Sequence, residues 1–315
     1  MKILGTPARL FTSVFIGAVL VIFSCKKETS DTLTPQDEQQ ANVTATESDA
    51  ESEDVFNGVF DDVVGVNKDV AIGSTGIFGR TIAVNYGPAD GTGRIDNTTL
   101  LPSCLHTTIE TSTQSTFPVK ITLDFGTAGC VANDGHWRKG KIITTYSNRL
   151  LYPGSVATTT FQNFYIDSIY IDNVTSFKIA NTGTTDKLEF TVDIDAKLSK
   201  PNGSFSEWHS HRDITRIYGN LTTTPIDDVF TVTGYSSGKT KRSDLVVGWE
   251  SKISKPLVKK FACRWISDGT ATIARLNLSS NSQWVGSLDY GFPNGSCDNR
   301  ALLSLNNHTY EITLR

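Results

Sequence analysis

Two histidines stand two residues apart in Trp208-His209-Ser210-His211. On a β-strand alternate residues share a face, so His209 and His211 would project side by side about 7 Å apart, close enough to share a metal ion. Glu207 and Asp213 have the same parity and would join them only in part. A solvated strand face explains the pattern as well, so the pair is a weak metal candidate and no cofactor is expected. His106, His136 and His308 have no carboxylate or thiol at ligand spacing and read as structural or exposed. Asp124, Asp134, Asp289 and Asp298 recur near cysteines. Paired carboxylates can hydrolyse glycosides and clustered oxygens can hold calcium. Asp beside Gly and Asn more often closes a turn by accepting nearby backbone N–H groups, and that is the expectation here.

Other chemical signatures fail on order or context. Asp124-Phe125-Gly126 and His211-Arg212-Asp213 look like kinase strings but occur in reversed order, and Tyr218 stands where the catalytic-loop Asn belongs. No Gly-x-Ser-x-Gly elbow occurs, and no Ser/His/Asp set can be assigned. Trp208, Trp249, Trp265 and Trp284 read mainly as core, because aromatic residues in alternating strands usually pack inward. Tyr165 and Tyr170 differ in parity, which predicts opposite faces with at least one exposed.

The elements that would position these residues are strands. Leu188, Phe190, Val192, Ile194, Ala196 and Leu198 alternate with polar residues, and Pro201-Asn202-Gly203 then turns the chain into a second run from Phe205 to Tyr218. Val119–Phe125, Leu245–Trp249, Leu257–Trp265 and the two runs flanking Asn306-Asn307 follow similar patterns. Alternation of this kind gives one buried and one wet face, the antiparallel signature. Only one segment has helical spacing: Val55, Val59, Phe60, Val63 and Val64 predict a helix from near Glu51 to near Val66, packed on an edge or face of the sheet. The expected fold is all-β, a large antiparallel sheet or β-sandwich with one short N-terminal helix.

Four cysteines, Cys104, Cys130, Cys263 and Cys297, suit two disulfides in an exported chain, with three connectivities open. An internal echo selects among them. Leu123-Asp124-Phe125-Gly126 precedes Cys130, Leu288-Asp289-Tyr290-Gly291 precedes Cys297, and a cysteine lies upstream of each. Read as a degenerate repeat, the echo predicts Cys104–Cys130 and Cys263–Cys297.

The N-terminus places the chain outside the cytoplasm. Lys2 and Arg9 precede an apolar run, Leu10–Phe23, that suits a signal peptide better than a membrane span. Ile22-Phe23-Ser24-Cys25 resembles a bacterial lipobox, in which the Cys25 thiol receives diacylglycerol. Residues 1–24 then form the signal, and 25–54 a lipidated cysteine with a disordered acidic tether. That tether carries two lysines against nine acids and little to bury. Residues 55–315 form the β-rich body, near neutral with 25 basic and 24 acidic side chains and no footprint for nucleic acid.

Cys25-Lys26-Lys27-Glu28, the acidic segment, and the stretch from Asp124-Phe125-Gly126 to Cys130 are similar to uncharacterised cell-envelope lipoproteins of Bacteroidota. Asp134-Gly135, Arg138-Lys139-Gly140-Lys141-Ile142 and the closing Asp289-Tyr290-Gly291 to Cys297-Asp298-Asn299 extend the resemblance over most of the chain. It implies a lipid-anchored protein of the outer membrane and brings no activity with it. Lys27-Glu28 partly resembles a surface-export signal, and Asp31-Thr32-Leu33 resembles that phylum's O-glycosylation sequon. The functional expectation is a non-enzymatic binding or structural module. Its partners would be the membrane, through Cys25, and a glycan or an envelope protein. The alternative is a hydrolase of glycans or esters using Asp124, Glu207 or Asp213.

Overall fold

Period-two alternation builds nearly everything in the computed structural model, which describes residues 35–66, 71, 104–111, 117–132, 134–219, 227–276, 285–306 and 308–314. Cys25, the signal-like segment, Lys27-Glu28, Asp31-Thr32-Leu33 and Trp284 lie outside the described residues. One helix, α1 (Pro35–Val64), precedes β1 (His106–Thr111), β2 (Val119–Asp124), β3 (Cys130–Val131), β4 (Trp137–Tyr146) and β5 (Val156–Ile166). Then follow β6 (Ile169–Asn181), β7 (Glu189–Ser199), β8 (Phe205–Tyr218), β9 (Val229–Arg242) and β10 (Leu245–Lys260). The chain closes with β11 (Ile266–Arg275), β12 (Val285–Asp289), β13 (Arg300–Leu305) and β14 (His308–Thr313).

Among the described residues these strands form a single antiparallel sheet in which each strand pairs with the next, while the two-residue β3 pairs only with the start of β4. Adjacent strands turn tightly. Asp167 and Ser168 both adopt positive φ between Ile166 and Ile169, the two-residue hairpin geometry whose twist suits antiparallel strands. The hairpin predicted around Pro201-Asn202-Gly203 pairs Ser199 with Phe205. The all-β expectation therefore holds, realised as one continuous hydrogen-bonded sheet.

The second layer is the helix, and here the expectation from sequence needs correction. The helix is not short, and the described part of the expected disordered tether is helical: α1 runs 30 residues and begins at Pro35, not near Glu51. Between Ala41 and Val66 almost every residue is buried, polar ones included. A helix packed on one face would leave its other side wet. Here Arg138 of β4, Trp208 of β8, Trp249 of β10 and Tyr310 of β14 all bond helix side chains, so the sheet bends around it.

Local propensity alone does not explain α1. Pro35 suits the first helical position, and the Gly65 N–H extends the helical bonding past Val64 by donating to Asp61 O at 2.8 Å. Thr, Ser, Asp, Asn and an internal Gly58 are mediocre helix formers, so tertiary packing must hold the helix. The apolar stripe packs as its spacing predicts. Phe56 stacks on Trp208 with centroids 5.2 Å apart, and Phe60 meets Phe190 and Phe261.

Both predicted disulfides are present, Cys104–Cys130 and Cys263–Cys297. The echo around them is a shared corner. Asp124 and Asp289 each accept the N–H of the glycine two residues on, at 2.9 and 2.8 Å. Phe125 and Tyr290 are buried, and their N–H groups reach Gly140 O and Gly269 O in the neighbouring strand. Those glycines are required: both have positive φ, and a Cβ would fall 2.0 Å from Asn163 O at position 140 and 2.5 Å from Leu257 Cα at position 269. The neighbouring strand follows the corner in the first case and precedes it in the second. The likeness is thus local and not a tandem repeat.

Candidate functional site

Inside the sheet, the helix acids meet cations and donors supplied by alternate strand residues. Arg212 donates to Glu53 through Nε at 3.1 Å and Nη2 at 2.7 Å. Lys259 reaches Asp61 at 2.9 Å. Arg138 bonds Asp62 at 2.8 and 3.1 Å and Asp134 at 2.8 and 2.7 Å. Burial works against the Arg138 cation, but the two carboxylates outweigh it and raise its pKa. Asp49 accepts from Trp208 Nε1 at 3.0 Å, Ser236 Oγ at 2.8 Å and Trp249 Nε1 at 3.3 Å. These contacts satisfy charges that would be costly to bury alone.

Asp54 is the exception. Its Oδ2 has no hydrogen-bond partner among the described residues. Burial pushes its carboxyl up to about 8, against the pull of Arg264 and Lys259. Nearby, His136 Nδ1 is hydrogen-bonded to Asp167, which also accepts from Arg264 at 3.3 Å. Burial holds the His136 imidazole below its ordinary range. The group ties the β5–β6 turn to the residues that open β4 and to the segment after β10. His136 is structural, as expected, while His106 and His308 are exposed.

On the outward face the sequence-derived residues fall into a different pattern. His209 and His211 share a face, as predicted, yet each turns to its own cross-strand carboxylate. His211 Nδ1 lies 2.7 Å from Asp193, and His209 Nδ1 lies 3.1 Å from Asp195. Asp213 is 3.8 Å from His211 Nε2, while Glu207 stands between Lys197 and Lys239 across the sheet. No group of three or more His, Cys, Asp or Glu side chains among the described residues is arranged to hold a metal. On its other side His211 stacks on Tyr235, with centroids 5.4 Å apart and an interplanar angle of 24°. Beside Tyr235 a recess of about 790 Å³ opens along β9–β11.

Asp193, Asp195 and Tyr235 were not singled out from the sequence. The signal for the two aspartates was present, since counting back from the Pro201-Asn202-Gly203 turn sets Asp195 opposite His209 and Asp193 opposite His211. Tyr235 needed the β8–β9 register, which a long connection obscures.

The acids of the hydrolase alternative do not converge. Glu207 and Asp213 are six residues apart on one strand, about 20 Å, well beyond the spacing of glycosidase carboxylates. Asp124 sits far off on β2, held below the usual carboxylate range by Lys141 and the Gly126 N–H. Asp134 and Asp298 close turns as predicted, accepting the N–H groups of His136 and Arg300. Trp208 and Trp249 are core, and Trp265 is partly buried. Tyr165 and Tyr170 are a correction: they share the outward face as cross-strand partners with centroids 4.7 Å apart. The two-residue turn between their strands resets the parity.

A second cavity, of about 330 Å³, lies where α1 passes the β7–β8 turn and the end of β14. Lys200 pairs with Glu51 there at 2.6 Å, and Arg242 with Glu47. No helix among the described residues is long and apolar enough to cross a membrane. Comparison with known proteins finds no matching family, no similar curated protein and no similar solved structure.

Proposed function

We propose that this protein is a cell-envelope lipoprotein, held on the outer membrane through a lipid on Cys25, whose β-rich body is a non-enzymatic binding module. The observation that carries the binding role is the placement of α1. The chain fills its own interior with a helix bonded from β4 to β14, which leaves the outward sheet face, with its recess and its His–Asp–Tyr row, as the surface a partner can reach. The lipobox-like sequence supports anchoring. If Cys25 is lipidated, the ten steps from Cys25 to Pro35 can span no more than about 35 Å, so the body stays close to the bilayer.

Three measurements test this reading. Incorporation of a labelled fatty acid, lost in Cys25→Ser, together with protease shaving of intact and lysed cells, decides anchoring and side. A turnover screen on polysaccharides and esters decides the rest. Reproducible hydrolysis abolished by Asp124→Asn, Glu207→Gln or Asp213→Asn would replace the binding role with the hydrolase alternative.

A further inference from the structure

The geometry points to a saccharide-binding site on the outward face of β9–β11, with Tyr235 as its stacking platform; it rests on the binding role proposed above and supplies the ligand class.

The recess originates in the backbone. Between Lys252 and Leu257, β10 advances five residues while its partner β9 retreats only three, from Tyr235 to Val232. The extra residues bulge, and bulges bend and twist the strand that carries them. On β9, Gly234 has φ +128°, and a Cβ there would fall 2.1 Å from His211 O, so the neighbouring strand approaches as only glycine allows. The bend opens a recess of a size usual for small-ligand sites.

Its lining sets the chemistry. Tyr235 is 60% exposed, an unusual position for a large ring in the middle of a sheet. One side of the ring is covered by His211, itself held by Asp193, and the ring also lines the recess. A ring held in this way loses little side-chain freedom when a ligand binds. Its negative π face suits the C–H face of a pyranose. The hydroxyls of Thr233 and Ser237 can each donate and accept, as sugar hydroxyls require, while that of Thr272, which donates to Lys252 O at 3.2 Å, can accept. Glu250 and Lys252 contribute one charge of each sign, which fits a neutral ligand better than a polyanion. A peptide adding as a strand would need an exposed sheet edge, whereas β9, β10 and β11 are each paired on both sides.

The test is isothermal titration of the secreted Cys25→Ser chain with a panel of neutral oligosaccharides: glucans, mannans, xylans and galactans. The expected result is binding of at least one of them. Tyr235→Ala should weaken it about tenfold or more, whereas Tyr235→Phe and Tyr152→Ala, an exposed tyrosine elsewhere, should leave it near wild type. Saccharide binding undiminished in Tyr235→Ala would overturn the site while leaving the binding role intact. A folded chain that binds no member of the panel would overturn the ligand class. A photo-crosslinker at position 235 that captures an envelope protein in cells would then show that the binding role survives without it.

Discussion

Breaking the Arg212–Glu53 pair distinguishes a buried helix from a solvated tether. Both side chains are buried, with exposures of 5% and 6%. Arg212→Met keeps an apolar side chain beside Trp208 but takes the paired cation away from the Glu53 carboxylate. Removing one partner of a buried ion pair costs about 3–5 kcal/mol. For a domain of this size that corresponds to a loss of about 6–20 °C in Tm. Glu53→Gln should cost somewhat less, because the guanidinium keeps its bonds to His211 O and Ser236 Oγ and its place over the Trp208 ring. The double variant should be more stable than the two losses added together, with a coupling energy of about 1–3 kcal/mol. The assay is urea unfolding followed by tryptophan fluorescence, with Trp208 beside the pair as reporter. If both single variants stay within about 0.5 kcal/mol of wild type, as surface substitutions do, residue 53 lies in solvent and the account of the core is wrong.

Three further outcomes follow from the same packing. Asp54 has a folded-state pKa of about 8 against 3.8 for an unperturbed aspartate, so the native state holds a proton that the unfolded chain gives up, and stability falls as pH rises between these values. Tm measured at pH 5 and pH 8 should therefore drop less in Asp54→Asn than in wild type; an equal drop would contradict the burial of that carboxyl. Replacing Cys263 and Cys297 by serine reopens a loop with a sequence separation of 34 and should cost about 3–4 kcal/mol in unfolding free energy, and an unchanged denaturant midpoint would argue against the bridge. Gly58→Ala should stabilise by about 0.5–1 kcal/mol, because a Cβ there meets Ile166 Cδ1 at 3.6 Å and Arg138 Nη2 at 3.7 Å, ordinary contact distances. A fall in Tm would show that the helix sits tighter against β4 and β5 than these distances allow.

The strands were legible because their cause is local. Alternation along Leu188–Leu198 needs only a buried face and a wet one, and the turn after it follows from Pro201-Asn202-Gly203. The disulfides were legible because the two corners repeat their residues, and Asp124, Asp134, Asp289 and Asp298 serve as turn acceptors because an Asx turn reaches only two residues along the chain. His209 and His211 share a face for the same local reason. Their acidic partners were within reach of the register that the Pro201-Asn202-Gly203 turn sets, whereas Tyr235 lies across a longer connection that sets none.

The helix was beyond local reach. Residues 35–54 have the composition of a disordered acid-rich tether, and by themselves they bury too little apolar surface to offset chain entropy. What changes the balance is a set of cations and donors distant in sequence: Trp208, Arg212 and Trp249 hold Asp49 and Glu53 within this stretch, and Arg138 and Lys259 hold Asp62 and Asp61 just beyond it. A charged side chain reads as a surface residue until its partner is known, and here the partners lie 76 to 200 positions away. The sequence by itself determined the strands, turns and bridges. Only the tertiary structure decided that this acid-rich segment would become part of the core.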